Sequence, residues 1–435
     1  MTKKGLIVIF NNGIEFIMGS TILILITNVY SIKEAGAWIV FITLVFVGTK
    51  LREGITQTSL MKYSVGVGEP QKHFIYWLSI ALSFGVELIL GLIAFVVGTF
   101  FMDGLLSTLL ISYFLISIPQ SQFRLFQYIS LSKLDVNKMF SSNVVLLVIL
   151  SGVLFTVYIQ DIPFNKLPIY LGIAFLLGTV WQIIVHKAIS WKLSKGEYSI
   201  PDGYISFALN GLVRELFGTI SSRAYILLTA GFVGYTESAL VGIASRYANL
   251  IYLPNSAYQG LLYPKACELV NNGYLKSMFG FYRRSVSWMQ AAFIPYVIFL
   301  LTLGSFGIIV LHGVEYKSAI LFFAVLILAG AFISPFGHAY GSVCQAAGRP
   351  ELVTKVVLLS SAFNLVLSIV AIRSFGVWGA ILAPIITDLI GLIVISIVLK
   401  KVFNMKLIES SFRMIERFFS LTKIFLRIVK KEVWI

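Results

Sequence analysis

Apolar stretches of roughly 20 residues, the length a helix needs to cross a hydrocarbon core about 30 Å thick, recur from one end of the chain to the other. They predict helices over 5–29, 36–61, 74–101, 104–131, 139–159, 167–190, 204–232, 237–264, 284–311, 318–345, 352–373 and 377–400. The gaps between them are too short to hold a soluble domain. The expected architecture is therefore all-α, a polytopic membrane protein of about twelve transmembrane helices.

One long polar stretch, 192–203, divides the runs six and six. The chain is expected to consist of an N-terminal lobe over 1–191, a cytoplasmic linker over 192–203, a C-terminal lobe over 204–402 and a basic amphipathic helix over 403–435. In that last segment Arg413, Arg417, Lys423, Arg427, Lys430 and Lys431 share one arc of a helical wheel opposite Met414, Ile415, Phe418, Leu421, Phe425 and Val429. This is the pattern of a helix lying on an anionic leaflet. A faint repeat supports two lobes. Lys33-Glu34-Ala35-Gly36 and Thr236-Glu237-Ser238-Ala239 open the second and eighth runs, and Lys62 and Lys265 keep the same offset. Pro119 pairs in the same order with Pro335, and Ser132-Lys133-Leu134-Asp135 with Gly348-Arg349-Pro350-Glu351. Two six-helix lobes of like topology follow, the parallel repeat of rocker-type transporters.

Composition agrees: of 435 residues 58% are hydrophobic and 12% charged, and the mean hydropathy is +0.90. The net charge of +15 does not point to nucleic acid, because the Lys and Arg lie in short gaps rather than on one basic domain. With the N-terminus cytoplasmic, the inner segments collect Lys62, Lys72, Lys133, Lys138, Lys265, Arg283 and Arg284 among others, against Lys33, Lys166, Lys317 and Arg373 outside. That asymmetry places both termini in the cytoplasm. The opening Met1-Thr2-Lys3-Lys4 leads into an apolar run that contains Glu15 and no small-residue cleavage site, so it is read as the first helix rather than a signal peptide.

Cys267 and Cys344 fall near expected cytoplasmic helix ends, and His73, His186, His312 and His338 are scattered. No disulfide framework, metal site or cofactor is expected. No phosphate-binding glycine loop and no catalytic constellation occurs, which argues against an enzyme.

A charge near the bilayer centre costs roughly 2.5–3.5 kcal/mol on insertion scales and needs a cavity or a partner. The chain nevertheless buries Glu15, Lys50, Arg52, Glu53, Glu87, Arg124, Arg214, Glu215, Arg223, Arg246 and Asp388 within its apolar runs. Arginine is the informative type, because its planar, permanently charged fork matches phosphate oxygens. Arg52, Arg124, Arg223 and Arg246 come from both lobes and are the candidate diphosphate-binding residues. The competing reading is that they pair with Glu53, Glu15, Glu87 or Glu215 and only hold helices together. Glu15, Glu87 and Asp388 are the candidates for ion coupling.

Two stretches of the second half carry a resemblance. They are Glu237–Leu269, ESALVGIASRYANLIYLPNSAYQGLLYPKACEL, and Gly348–Val394, with Gly348-Arg349-Pro350, Asn364-Leu365 and Phe375-Gly376-Val377-Trp378-Gly379-Ala380. Glu34-Ala35-Gly36-Ala37-Trp38 and Glu53-Gly54-Ile55 add to it in the first half, where Lys50-Leu51-Arg52 departs from the usual apolar run. Together they resemble the polysaccharide-exporter branch of the multidrug/oligosaccharidyl-lipid/polysaccharide superfamily. The resemblance implies a Wzx-type flippase with two six-helix lobes around a cationic central cavity. Its substrate would be an undecaprenyl-diphosphate-linked oligosaccharide of O-antigen or capsule type, turned to the outer leaflet of the bacterial inner membrane by alternating access. Membrane lipids and a glycan polymerase are the implied partners. The alternatives are a cation-coupled multidrug exporter of the same superfamily, and a membrane glycan polymerase or scaffold. Peptidoglycan-precursor flippases usually carry an extra helix pair beyond the twelve counted here.

Overall fold

In lipid a backbone must satisfy its own hydrogen bonds, and helix is the local solution. Among the described residues no strand occurs. The computed structural model describes residues 3–64, 68–133, 135–186, 199–252, 254–255, 262, 265–266, 268–270, 275–403 and 416–420. The helices are α1 (Lys3–Val29), α2 (Ile32–Ser64), α3 (Glu69–Phe100), α4 (Gly104–Ile111), α5 (Tyr113–Ser132), α6 (Val136–Ile159) and α7 (Leu167–His186). After them come α8 (Tyr204–Phe232), α9 (Tyr235–Ala248), α10 (Leu275–His312), α11 (Ser318–Ala346), α12 (Pro350–Phe375) and α13 (Val377–Phe403). The expected linker lies largely outside the described residues, as does Cys267. Of the expected C-terminal helix only 416–420 is described, and it is helical.

Eight of these helices are long and apolar enough to cross a membrane, or nine if α4 and α5 form one span. The chain is a polytopic membrane protein. By that measure α1 has only a shorter apolar stretch, Gly13–Val29. α9 is 14 residues long before a 3-10 turn over Asn249–Ile251. α8 carries Arg214, Glu215 and Arg223 within 29 residues.

The fourth expected helix is broken: α4 and α5 meet at 49°. Ser112 stands at the junction. Its Oγ donates back to the Thr108 carbonyl at 2.7 Å and the Leu109 carbonyl at 3.2 Å, competing for acceptors that a continuous helix would use.

The chain forms two compact units, Met1–Arg223 with Gly234–Ala239, and Ala224–Val233 with Leu240–Ile435. In the first, α5 packs against α2, α3, α6 and α7, and α1 against α6. At the turn between α1 and α2, Tyr30 donates to the Ile162 carbonyl at 2.8 Å. Burial, reinforced by Glu34, pushes that phenol up to about 12 and keeps it a donor. In the second unit α10 packs on α11, and α12 on α13.

α3 has its polarity reversed relative to a soluble helix. Its buried stripe is Tyr76, Ser79, Ser83, Glu87, Gly91, Ala94 and Gly98, whereas Phe84, Leu88, Ile89 and Leu92 are exposed. That is the arrangement lipid selects, with large apolar side chains outward and polar or small ones at helix contacts.

Close packing shows at Gly172 of α7, where a Cβ would stand 2.0 Å from the Leu115 carbonyl oxygen of α5. Gly172→Leu is expected to force the two helices apart and lower stability by about 1–3 kcal/mol or more. Gly85→Leu, at a position with nothing within 4 Å, serves as the control with no loss of thermal stability.

Candidate functional site: a charge network inside the N-terminal unit

Helical spacing on α2 brings Lys50 and Glu53 onto one face, and Lys50 Nζ lies 2.6 Å from Glu53 Oε2. Arg52 points instead into the unit and is 0% exposed. Its Nε stands 3.3 Å from Glu87 Oε1 of α3, its Nη2 4.0 Å from Glu53 Oε1, and its Nη1 donates to the Ser121 carbonyl of α5 at 3.1 Å. Glu87 is likewise fully buried and accepts from the Tyr113 hydroxyl at 3.4 Å. A dry charge pair stripped of either member leaves an uncompensated ion, so these groups hold α2, α3 and α5 in one register.

One turn beyond Ser121, Arg124 pairs with Glu15 of α1 at 3.2 Å, Nη1 to Oε2. These side chains are 33% and 28% exposed. Buried amides organise the carboxylate. Asn11 Nδ2 donates to Glu15 Oε1 at 3.4 Å, and Asn143 Nδ2 of α6 donates to the same oxygen at 3.3 Å and to Asn11 Oδ1 at 2.8 Å. Gln127 Nε2 donates in turn to Asn143 Oδ1. Glu15, Arg124, Gln127 and Asn143 line a partly open cavity of about 80 Å³ whose other walls are apolar, among them Phe123, Leu146 and Phe175. Arg124 also lies within electrostatic reach of Glu53. The two pairs are thus one network of three cations, Lys50, Arg52 and Arg124, and three carboxylates, Glu15, Glu53 and Glu87.

The structure therefore brings four of the seven sequence candidates together: Arg52, Arg124, Glu15 and Glu87. Arg52 has no surface to offer a ligand, because its guanidinium is committed to carboxylates of its own unit. Arg223 of α8 is half-buried, with its guanidinium 4.8 Å from the centre of the Phe46 ring of α2. Arg246 of α9 is half-buried in the C-terminal unit. Asp388 of α13 is exposed and within electrostatic reach of Tyr252, whose ring meets that of His338 at 6.4 Å. Next to it, Thr387 donates to Asn364 Oδ1 at 3.3 Å, as does Ser368.

Sequence reading missed Asn11, Gln127 and Asn143. Their signal was present as uncharged amides inside apolar runs, where each needs a partner as a charge does. Among the described residues no group of three or more His, Cys, Asp or Glu is placed to hold a metal.

No protein-family model matches the sequence. Over 232 residues the chain is 23% identical to an uncharacterised membrane protein of Methanocaldococcus jannaschii, a match over 48% of this chain and 42% of that protein. The match thus spans less than half the length of that relative. Solved structures align over nearly the whole chain. An inward-facing multidrug resistance MATE family transporter of the MOP superfamily superimposes with a TM-score of 0.67 at 14% identity, over 92% of this chain and 96% of that one. The lipid II flippase MurJ in an inward closed conformation gives 0.64 at 17% identity, over 98% and 92%. A Vibrio cholerae MATE transporter gives 0.57 at 13%, over 92% and 96%. At such identities the likeness is one of architecture, and this chain has the fold of the MOP-superfamily transporters.

Proposed function

We propose that the protein is a flippase, not an enzyme, that turns an undecaprenyl-diphosphate-linked oligosaccharide, of O-antigen or capsule type, from the cytoplasmic to the outer leaflet of a bacterial inner membrane by alternating access. The observation that carries this reading is the Arg124–Glu15 pair, about a third exposed, beside its cavity. A guanidinium held by one carboxylate can exchange that partner for a diphosphate of matching geometry, whereas Arg52, fully buried, cannot. In this reading Arg124 and Arg223 of the first unit and, separately, Arg246 of the second are anion-binding residues, and Arg52 keeps the network in place. Glu15 released from Arg124 is a coupling carboxylate, with Asp388 its counterpart in the C-terminal unit. Both termini are cytoplasmic in this reading, and a glycan polymerase takes the product.

The test is reconstitution in vesicles loaded with a lipid-linked oligosaccharide, reading its exposure to an added lectin. Arg124→Gln and the Arg223→Ala/Arg246→Ala pair are expected to lower initial rates at subsaturating substrate by roughly ten- to a hundred-fold. That is the effect of losing one charged hydrogen-bonding partner of about 1.5–3 kcal/mol, and the double variant, which loses two, is expected to fall at least as far. Unchanged rates in both variants would remove the arginines from the substrate path. The likeness to MATE transporters favours a second reading, a multidrug exporter. Uptake of a cationic dye into the same vesicles, without movement of the lipid-linked sugar, would establish that reading instead.

A further inference from the structure

The buried stripe of α3 is polar over exactly the turns that lead to Glu87. Ser79, Ser83 and Glu87 are spaced by four residues and all lack exposed surface. On α2 the facing stripe is Arg52, Thr56 and Ser59, also without exposed surface. Arg52 stands against Glu87 and Leu60 packs with Tyr76, so Thr56 and Ser59 fall on the same stretch of α2 as Ser83 and Ser79 on α3. α5 closes the seam with Ser121 and Gln122, whose Nε2 lies 3.4 Å from Ser83 Oγ. At the far end, Tyr76 shares a 3.0 Å hydrogen bond with Ser132, the last residue of α5, near the exposed Glu69 that begins α3. From Tyr76 to Glu87 is eleven residues, about 16 Å of helix, or half of a hydrocarbon core.

Several atoms along this seam have unspent hydrogen-bonding capacity. Ser59 Oγ is buried without a hydrogen-bond partner in the protein, Glu87 Oε1 meets only Arg52 Nε at 3.3 Å, and Ser79 keeps a lone pair beyond its contact with Tyr204 of α8. Sites of this kind recruit buried water, and hydroxyls and water both accept and donate, which is what a proton relay requires.

We propose that the seam between α2, α3 and α5 is a proton path and that Glu87 is its acceptor. A proton enters beside Tyr76 and Ser132. Each hydroxyl or water takes one proton on a lone pair and passes its own onward, and the last transfer makes Glu87 a neutral acid. The net change is one proton moved from solution to Glu87. The titratable and charged groups facing Glu87 are Lys50, Arg52 and Glu53 from α2 and Tyr113 from α5, with Arg124 and Tyr128 beyond Arg52. α4 contributes none. When Glu87 is neutral, Arg52 retains Glu53, and Glu53 is drawn from Lys50, whose side chain is 31% exposed. Proton arrival thus frees a reachable cation. Only this last consequence, a cation offered to an anionic lipid head, rests on the flippase reading.

The test uses the full chain in nanodiscs without lipid-linked substrate. A rapid drop in pH is followed by infrared difference spectroscopy in the carbonyl band of neutral carboxylic acids. The wild-type protein is expected to gain such a band, and Glu87→Gln to lack it. Ser79→Val/Ser83→Val is expected to slow its appearance by at least about tenfold with the final amplitude unchanged, because each handover needs hydrogen-bond reach or one water. A band absent from the wild type, one that persists in Glu87→Gln, or an unaltered rate in the serine variant would overturn the path. The serine variant leaves Arg52 and Glu87 intact, so the test stands even if Glu87→Gln does not fold. Flipping that persists while the band is missing defeats only this proposal. A normal band in an Arg124→Gln protein that still flips at wild-type rate defeats only the substrate assignment.

Discussion

Arg52→Met is expected to cost about 3–5 kcal/mol of stability at a pH where Glu87 is ionised, the penalty for a buried charge whose counter-ion is gone. Glu87 has no exposed surface and keeps the hydroxyls of Tyr113, at 3.4 Å, and Ser117, neutral donors facing a full negative charge. Thermal unfolding in nanodiscs should show the loss directly. The Arg52→Met/Glu87→Met pair should recover most of it, because two apolar side chains replace two desolvated ions. If the double variant is no more stable than the single, the two groups do not act as a pair, and their roles must be sought separately.

Exchanging the charges of the second pair separates stability from transport. Glu15→Arg/Arg124→Glu keeps one cation and one anion at the cavity of about 80 Å³ but takes the acceptor from the Asn11 and Asn143 amides, so it should lose some stability and remain more stable than Arg124→Glu alone. Arg124→Glu alone sets two carboxylates against each other and should be clearly less stable. Transport in the exchanged protein is nevertheless expected to fall by roughly ten- to a hundred-fold, because the guanidinium that meets the diphosphate has moved from α5 to α1. Wild-type transport in the exchanged protein would mean that the pair serves only to hold α1 against α5. The outcome is read with the same lectin assay, alongside a thermal scan of each variant.

These effects depend on partners that sequence spacing conceals. Arg124 and Glu15 are 109 residues apart, and Asn143 reaches Asn11 across 132. The choice among the acids open to each arginine was made by packing: α5 against α2 and α3 gave Arg52 to Glu87, and α1 against α6 turned Glu15 toward Asn143 and Arg124. The reversed stripe of α3 was closer to legible. Ser79, Ser83 and Glu87 recur at helical spacing inside an apolar run, and in a membrane such a polar stripe faces protein rather than lipid.

What the sequence determined by itself is the membrane, the helical class and most of the spans. The runs expected over 318–345, 352–373 and 377–400 became Ser318–Ala346, Pro350–Phe375 and Val377–Phe403. Hydropathy fixes these because a segment must satisfy its backbone internally wherever lipid surrounds it, a condition each run meets on its own. Tertiary structure decided the break at Ser112, the sealing of Arg52 away from any ligand, and the exposure of Arg124 beside its cavity. Those features depend on which face of a helix meets which neighbour, and a count of apolar residues is the same for every rotation of the helix about its axis.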